Sequence, residues 1–274
     1  GGPIFALWDS PDAWAAAVRC AGYRAAACPL TPDADDAIVR AFEGAARDAD
    51  IVIAEVGAWS NPLSPDDAIR AQALAKCKHA LELADRIGAR CCVNIAGSRG
   101  SKWDGPCAAD LTDTTFEMIV AVVRDIIDSV KPVRTCYTLE TMPWMYPDSA
   151  QSYQRLIRAI DRESFAVHFD PVNLICSPQR YFGQTALIEE FVALLGARIV
   201  ACHAKDIILR EQLTTHLDEV RAGLGAFDYP TLLRALDGLD HDVPLLLEHL
   251  HTEEEYRNAA THIRATAAAV GVEL

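Results

Sequence analysis

Short apolar runs alternate with longer amphipathic segments along the whole 274-residue chain. Runs of small, β-branched or aromatic residues predict strands at Ile4–Trp8, Ala25–Cys28, Ile51–Val56, Arg90–Ile95, Thr135–Glu140, Phe165–Phe169, Ile199–Lys205 and Leu245–Glu248. Amphipathic periodicity predicts helices between them, at Asp12–Ala21, Ala34–Asp48, Pro65–Ile87, Thr112–Val130, Ser149–Ile160, Gln184–Leu195, Asp228–Leu236 and Glu253–Val270. Stop signals agree with these limits: Gly22, Gly88, Gly196 and Gly238 follow helices, and Pro132 lies just past another.

Eight strand–helix units in alternation imply a parallel sheet covered by helices. Eight such units in about 250 residues match a closed (β/α)8 TIM barrel. An open doubly wound sheet is the alternative, but the first strand–helix turn carries no G-x-G-x-x-G. No Gly/Ser/Pro linker splits the chain, so one domain over residues 1–274 is expected.

Composition narrows the partners. Hydrophobic residues make up 51% of the chain, enough for a sizeable core, and the net charge is −14. That charge argues against nucleic acid or an anionic membrane surface as partner, since both demand a basic face. Nine cysteines, an odd number without C-x-x-C spacing, read as reduced thiols in a cytoplasmic protein. No apolar run approaches the ~20 residues of a membrane span. Whether the chain forms a homo-oligomer is left open by these features.

Barrel enzymes build their sites at the C-terminal ends of the strands. The fifth to eighth predicted strands place Glu140, Asp170, His203 and Glu248 there. Each alone has a structural reading, as a cap, a turn residue, a rim ion pair or a core histidine. Together, three carboxylates and an imidazole need a cation to offset their repulsion. The oxygen-rich set suits Mn2+, Co2+ or Mg2+, with Zn2+ or Fe2+ as further candidates.

Other polar residues are candidates for substrate contact. Lys205 shares the face of His203, one pleat nearer the mouth, and could bind a substrate oxygen or pair with Glu140 or Asp170. Asn94 ends its strand, Asn173 follows Asp170, and Arg210 lies in the following loop. Trp59, Trp103 and Trp144 fall in loops after strands, where Trp144 is the candidate for stacking on a sugar. His168 lies deeper and reads as packing, His249 should point away from Glu248, and Asp206 is out of phase with His203. The "GSRG" turn with Arg99 could meet an anion.

The segments "YTLETMP" (137–143), "VHFDPVNL" (167–174), "ACHAKDI" (201–207), "GLGAFDYPTLLRAL" (223–236) and "PLLLEHL" (244–250), with "ALELADRIGARCCVNIAG" (80–97), carry a resemblance. The chain resembles the xylose isomerase-like barrel superfamily, in particular its sugar phosphate isomerase/epimerase group. The resemblance implies metal ligands at Glu140, Asp170, His203 and Glu248, with Glu140 and Glu248 as the acid–base pair on a ketose or polyol. It implies proton abstraction beside a metal-held carbonyl and an enediolate intermediate. Where ketose 3-epimerases carry a further glutamate and a histidine that grip substrate hydroxyls, this chain has Tyr146 and Asn173. Lyases and dehydratases of the same superfamily, acting on 3-keto-glycosides or keto-inositols, are therefore the alternative. A non-catalytic ligand-binding barrel is the third reading.

Overall fold

Side chains, more than intrinsic propensity, mark where the helices begin. Ser10, Asp35, Asp66, Thr112, Ser149 and Thr252 each accept a backbone N–H from the first turn that follows, as N-caps do. The computed structural model describes residues 1–274. Its helices are α1 (Pro11–Cys20), α2 (Asp36–Asp48), α3 (Asp67–Ile87), α4 (Asp113–Val130), α5 (Ala150–Ile160), α6 (Pro178–Phe182), α7 (Gln184–Leu195), α8 (Tyr229–Asp237) and α9 (Glu253–Val270). Its strands are β1 (Ala25–Ala27), β2 (Val52–Gly57), β3 (Cys91–Asn94), β4 (Cys136–Glu140), β5 (Phe165–Phe169), β6 (Ile199–Ala204), β7 (Asp206–Arg210), β8 (His216–Val220) and β9 (Leu245–Leu247).

Seven of these strands pair in the order β1-β2-β3-β4-β5-β6-β9, all parallel. Helices separate successive strands and pack outside, so the sheet curls into a nearly closed TIM barrel. A core of 61 buried residues joins the outward faces of the strands to the helices. The small residues Ala25 and Ala54 with Leu246, and Cys91 and Val93 with Ala201, form separate clusters inside the barrel.

The predicted strand at Ile4–Trp8 does not form. Pro3 has no N–H to continue a ladder, and Leu7 is fully exposed. Phe5 packs on Tyr256 and Trp8 on Phe42 instead. What meets β9 is Gly1, whose amine donates to the Leu245 carbonyl (2.7 Å) and whose carbonyl accepts from the Leu247 amide (2.9 Å). A Cβ at Gly1 would stand 2.4 Å from the Ala25 carbonyl oxygen, so a residue without a side chain fills the gap between β1 and β9. A second difference is the antiparallel hairpin β7–β8, inserted directly after β6.

Two register shifts set which residues face the axis. The β1–β2 pairing jumps from Ala26↔Ile53 to Ala27↔Glu55, and β5–β6 jumps from Val167↔Ile199 to His168↔Ala201. The unpaired residue in each, Ala54 and Val200, changes the alternation of its strand. After these bulges Glu55 and His203 both point into the barrel, where they approach each other. No helix is long and apolar enough to cross a membrane.

Candidate active site

Four strands deliver four donors to one point. Glu140 ends β4, Asp170 follows β5, His203 lies in β6 and Glu248 follows β9. One ligand atom from each lies within 4.8 Å of the others. His203 Nδ1 is 2.9 Å from Glu248 Oε1, 3.4 Å from Glu140 Oε1 and 3.7 Å from Asp170 Oδ2. Side-chain exposure is 0% for Asp170, 7% for Glu140 and 19% for Glu248, so Glu248 is the carboxylate most open to the mouth.

Lys205 supplies positive charge beside the cluster. Its Nζ lies 2.7 Å from Asp170 Oδ2 and 2.7 Å from Glu248 Oε1, and donates to Asn173 Oδ1 at 3.2 Å. Of the two pairings expected for it, the one with Asp170 forms closely, while Glu140 is 3.9 Å away. Asp170 Oδ2 and Glu248 Oε1 are nevertheless buried without an aligned hydrogen-bond donor. Proximity of the ammonium offsets their charge, but neither oxygen has a hydrogen bond. Buried acceptors of that kind are costly in isolation.

Charge governs the protonation of these groups. Burial pushes the Asp170 carboxyl up, and Lys205 with His203 outweighs it, holding Asp170 well below the usual carboxylate range. Burial prevails at Glu140 and raises it despite His203, whereas at Glu248 the pull of His203 and Lys205 prevails and lowers it. Burial alone would lower His203 and Lys205, but Glu248, Glu140 and Asp170 raise both well above their ordinary values. For His203 to serve as a ligand, an ion must therefore replace its Nδ1 proton. Three carboxylate oxygens and one imidazole nitrogen at this spacing could hold a metal ion.

The remaining expected contacts divide. Asn173 joins the site, with Nδ2 donating to Glu140 Oε1 at 3.0 Å and its backbone N–H to Asp170 Oδ1 at 3.0 Å. Trp144 is partly exposed and donates its indole N–H to the Asp104 carbonyl. Asn94 is turned away from the axis, because β3 faces it with Cys91 and Val93. Its amide is used by the backbone of Ser60 and by Cys77 on α3. Arg210 lies at the end of β7, half exposed, paired with Asp218 across the hairpin at 2.8 Å. Arg210→Ala should therefore change stability by less than about 1 kcal/mol and leave substrate KM unaltered. A several-fold rise in KM in steady-state assays would return Arg210 to the site.

His249 was expected to point away from Glu248, and it does not. A left-handed backbone (φ 58) turns its ring back, with Nε2 3.6 Å from Glu248 Oε2 and Nδ1 3.1 Å from Glu219. Glu219, on β8, also reaches within 3.6 Å of Lys205 Nζ. It escaped notice because no hairpin was expected there. Glu55 was passed over because β2 reads as one regular strand. In the barrel its Oε2 lies 3.0 Å from His168 Nε2 and 3.5 Å from His203 Nε2. Asp206 is an anchor, taking backbone N–H bonds from Ile207, Gly223, Gly225 and Phe227. The Arg99 of the "GSRG" turn is spent on structure: its guanidinium donates to Thr115 at 3.2 Å. A cavity of about 500 Å³ lies at the other end of the barrel, among residues such as Ala25, Val52 and Leu245, and holds none of the four donors.

Known proteins agree with this architecture. A family model described as xylose isomerase-like TIM barrel matches residues 15–266. No curated protein matches the chain significantly. Among solved structures, D-psicose 3-epimerase from Clostridium cellulolyticum H10, with D-tagatose, is 14% identical with a TM-score of 0.67, covering 97% of this chain and 98% of its own. The probable 3-DHS dehydratase AsbF of Bacillus anthracis, involved in petrobactin synthesis, is 16% identical with a TM-score of 0.69, covering 95% and 94%. A xylose isomerase-like TIM barrel protein of Mycobacterium smegmatis in complex with magnesium is 15% identical with a TM-score of 0.65, covering 96% and 90%.

Proposed function

The chain belongs to the xylose isomerase-like TIM barrel family, and from that premise we propose that it is a divalent-metal-dependent isomerase or epimerase acting on a ketose or polyol. The observation that carries this reading is the convergence of Glu140, Asp170, His203 and Glu248, with two buried carboxylate oxygens lacking an aligned donor. These four residues would hold the ion. When bound, it supplies Lewis acidity that polarises a substrate carbonyl and makes the neighbouring carbon more acidic.

The chain's own residues then have separable tasks. Glu248, the most open carboxylate, removes a proton from the carbon beside the carbonyl, which gives an enediolate. Glu140, on a strand far around the barrel, returns a proton from the other face. Lys205 orients a substrate oxygen, and Asn173 holds Glu140 in place through its amide. Trp144 offers aromatic surface at the rim. We further read residues 1–274 as one domain.

A metal-dependent lyase or dehydratase is the second reading. Its support is specific: Tyr146, in place of a substrate-gripping glutamate, donates its hydroxyl to the Leu111 carbonyl. Asn173, in place of a histidine, is committed to Glu140 and Lys205. The likeness to a probable dehydratase is compatible with it. Both readings start with the same proton abstraction. Elemental analysis of protein purified without chelator should find about one divalent ion per chain, with Mn, Co, Mg, Fe and Zn assayed together. A metal-free protein that also fails to take up Mn2+ would sink both. Mass spectrometry of reactions with a ketose panel and with 3-keto-glycosides separates them, since only a lyase releases the aglycone.

A further inference from the structure

The lower half of the barrel holds a second group of ionisable side chains that the reaction does not use. Glu55, His168 and His203 lie together, 8%, 0% and 1% exposed. His203 belongs to both groups, and its two ring nitrogens divide between them. Nδ1 faces the three upper carboxylates at 2.9–3.7 Å. Nε2 faces down, 3.5 Å from Glu55 Oε2. The same Glu55 oxygen lies 3.0 Å from His168 Nε2.

We propose that Glu55 is a positioning residue for the cation site, accepting the His203 Nε2–H and so fixing the tautomer that turns the Nδ1 lone pair toward the carboxylates. The inference rests on the metal reading above. A neutral imidazole carries one proton. If that proton sits on Nε2, Nδ1 is free to bind a cation; if it sits on Nδ1, the site loses its only nitrogen ligand. In a dry barrel an Nε2–H without an acceptor would be unfavourable. Glu55 is the acceptor placed there, and a carboxylate in that position also makes the imidazole a stronger donor to the cation.

His168 fixes Glu55 in turn. Its Nε2–H donates to Glu55 Oε2, and its Nδ1 is buried with no partner. His168 therefore meets the group through Nε2 alone. Its ring packs edge-on against His203 with centroids 4.2 Å apart, so neither ring is free to turn. The alternative occupant of this lower group is a second cation held by Glu55, His168 and His203. The hydrogen-bonded arrangement is favoured because only three donors meet there and one pair of them, His168 and Glu55, is already hydrogen-bonded at 3.0 Å.

Mn2+ titration calorimetry on the wild type and on Glu55→Gln tests the assignment. Glutamine keeps the volume, but it is uncharged and can present an N–H to Nε2. One Mn2+ per wild-type chain and a Kd raised about 10–100-fold in the variant are expected, with circular dichroism unchanged. A second measurement needs no variant. In 15N-histidine-labelled wild type loaded with Mg2+, the long-range 1H–15N correlations of His203 should show the ring proton on Nε2. A purely structural role for Glu55 would not move that signature in Glu55→Gln, whereas a mixture of tautomers is expected there. Mn2+ affinity within twofold of wild type in a folded variant, an Nδ1-protonated His203 in the loaded wild type, or two ions per chain would each overturn the inference. A wild type that binds no ion overturns the site reading itself, which distinguishes that failure from a failure of Glu55 alone.

Discussion

Glu248→Gln should slow exchange of the substrate's carbon-bound hydrogen with solvent deuterium by about 10²–10⁴-fold, the range for losing a general base, while the fold survives. The side chain stands at the end of β9 and is the most exposed of the three carboxylates, at 19%. Its oxygen Oε1 is buried, 2.7 Å from Lys205 Nζ and 2.9 Å from His203 Nδ1, so the exposure of the side chain lies on its other atoms. Glutamine preserves the shape and removes the basicity. Because Glu248 is also a proposed ligand, the comparison is made at Mn2+ concentrations that saturate the variant, with occupancy measured on the same sample. Exchange is read by mass spectrometry on a ketose that the wild type turns over. Exchange retained within tenfold at full occupancy would exclude Glu248 as the essential base and shift that role to Glu140.

How far the sequence could be read depended on how regular each strand was. Where alternation held, the expected facing was found: Glu140, Asp170 and His203 meet inside the barrel, and Lys205 follows His203 on the same face. Helix limits agreed closely, because caps such as Ser149 and Thr252 are chosen by chemistry local in sequence. The failures have different causes. A bulge at Ala54 shifts β2 by one residue, and a shift of one flips every later side chain, which hid Glu55. Asn94 was read as an end-of-strand site residue, yet the phase set by Cys91 and Val93 turns it to α3. The left-handed turn at His249 returns a ring that strict alternation sends outward. Ile4–Trp8 has strand composition but no ladder to join. The β7–β8 hairpin was missed because Asp206–Arg210 continues the apolar run of β6 with no loop between.

That hairpin depends on one buried carboxylate, and Asp206→Ala should destabilise the protein by about 3–5 kcal/mol. Asp206 is 2% exposed. Oδ1 accepts from the Ile207 and Phe227 amides, both at 2.8 Å, and Oδ2 from Gly223 at 2.8 Å and Gly225 at 3.1 Å. Removing it leaves four backbone donors without their partner, those of Ile207 and Phe227 in buried bonds and those of Gly223 and Gly225 in part-buried ones, and each buried one costs about 1–3 kcal/mol unless water or a shift of the loop replaces the bond. The surroundings are fitted to the carboxylate. Gly223 has φ +91, and a Cβ on Gly225 would lie 2.3 Å from Asp206 Oδ1, so the loop wraps too tightly for other residues. The consequence extends to the site, because β8 carries Glu219 toward Lys205 and His249, and the Tyr229 hydroxyl holds the Lys205 carbonyl at 2.7 Å. Thermal unfolding followed by circular dichroism should show Tm lowered by about 6–15 °C. Asp206→Asn, which keeps one acceptor oxygen, should fall between. Faster hydrogen exchange at the amides of Gly223, Gly225 and Phe227 would place the damage in this loop. A Tm within 2 °C of wild type would show that the four bonds are replaced at no cost, and the anchor role would be wrong.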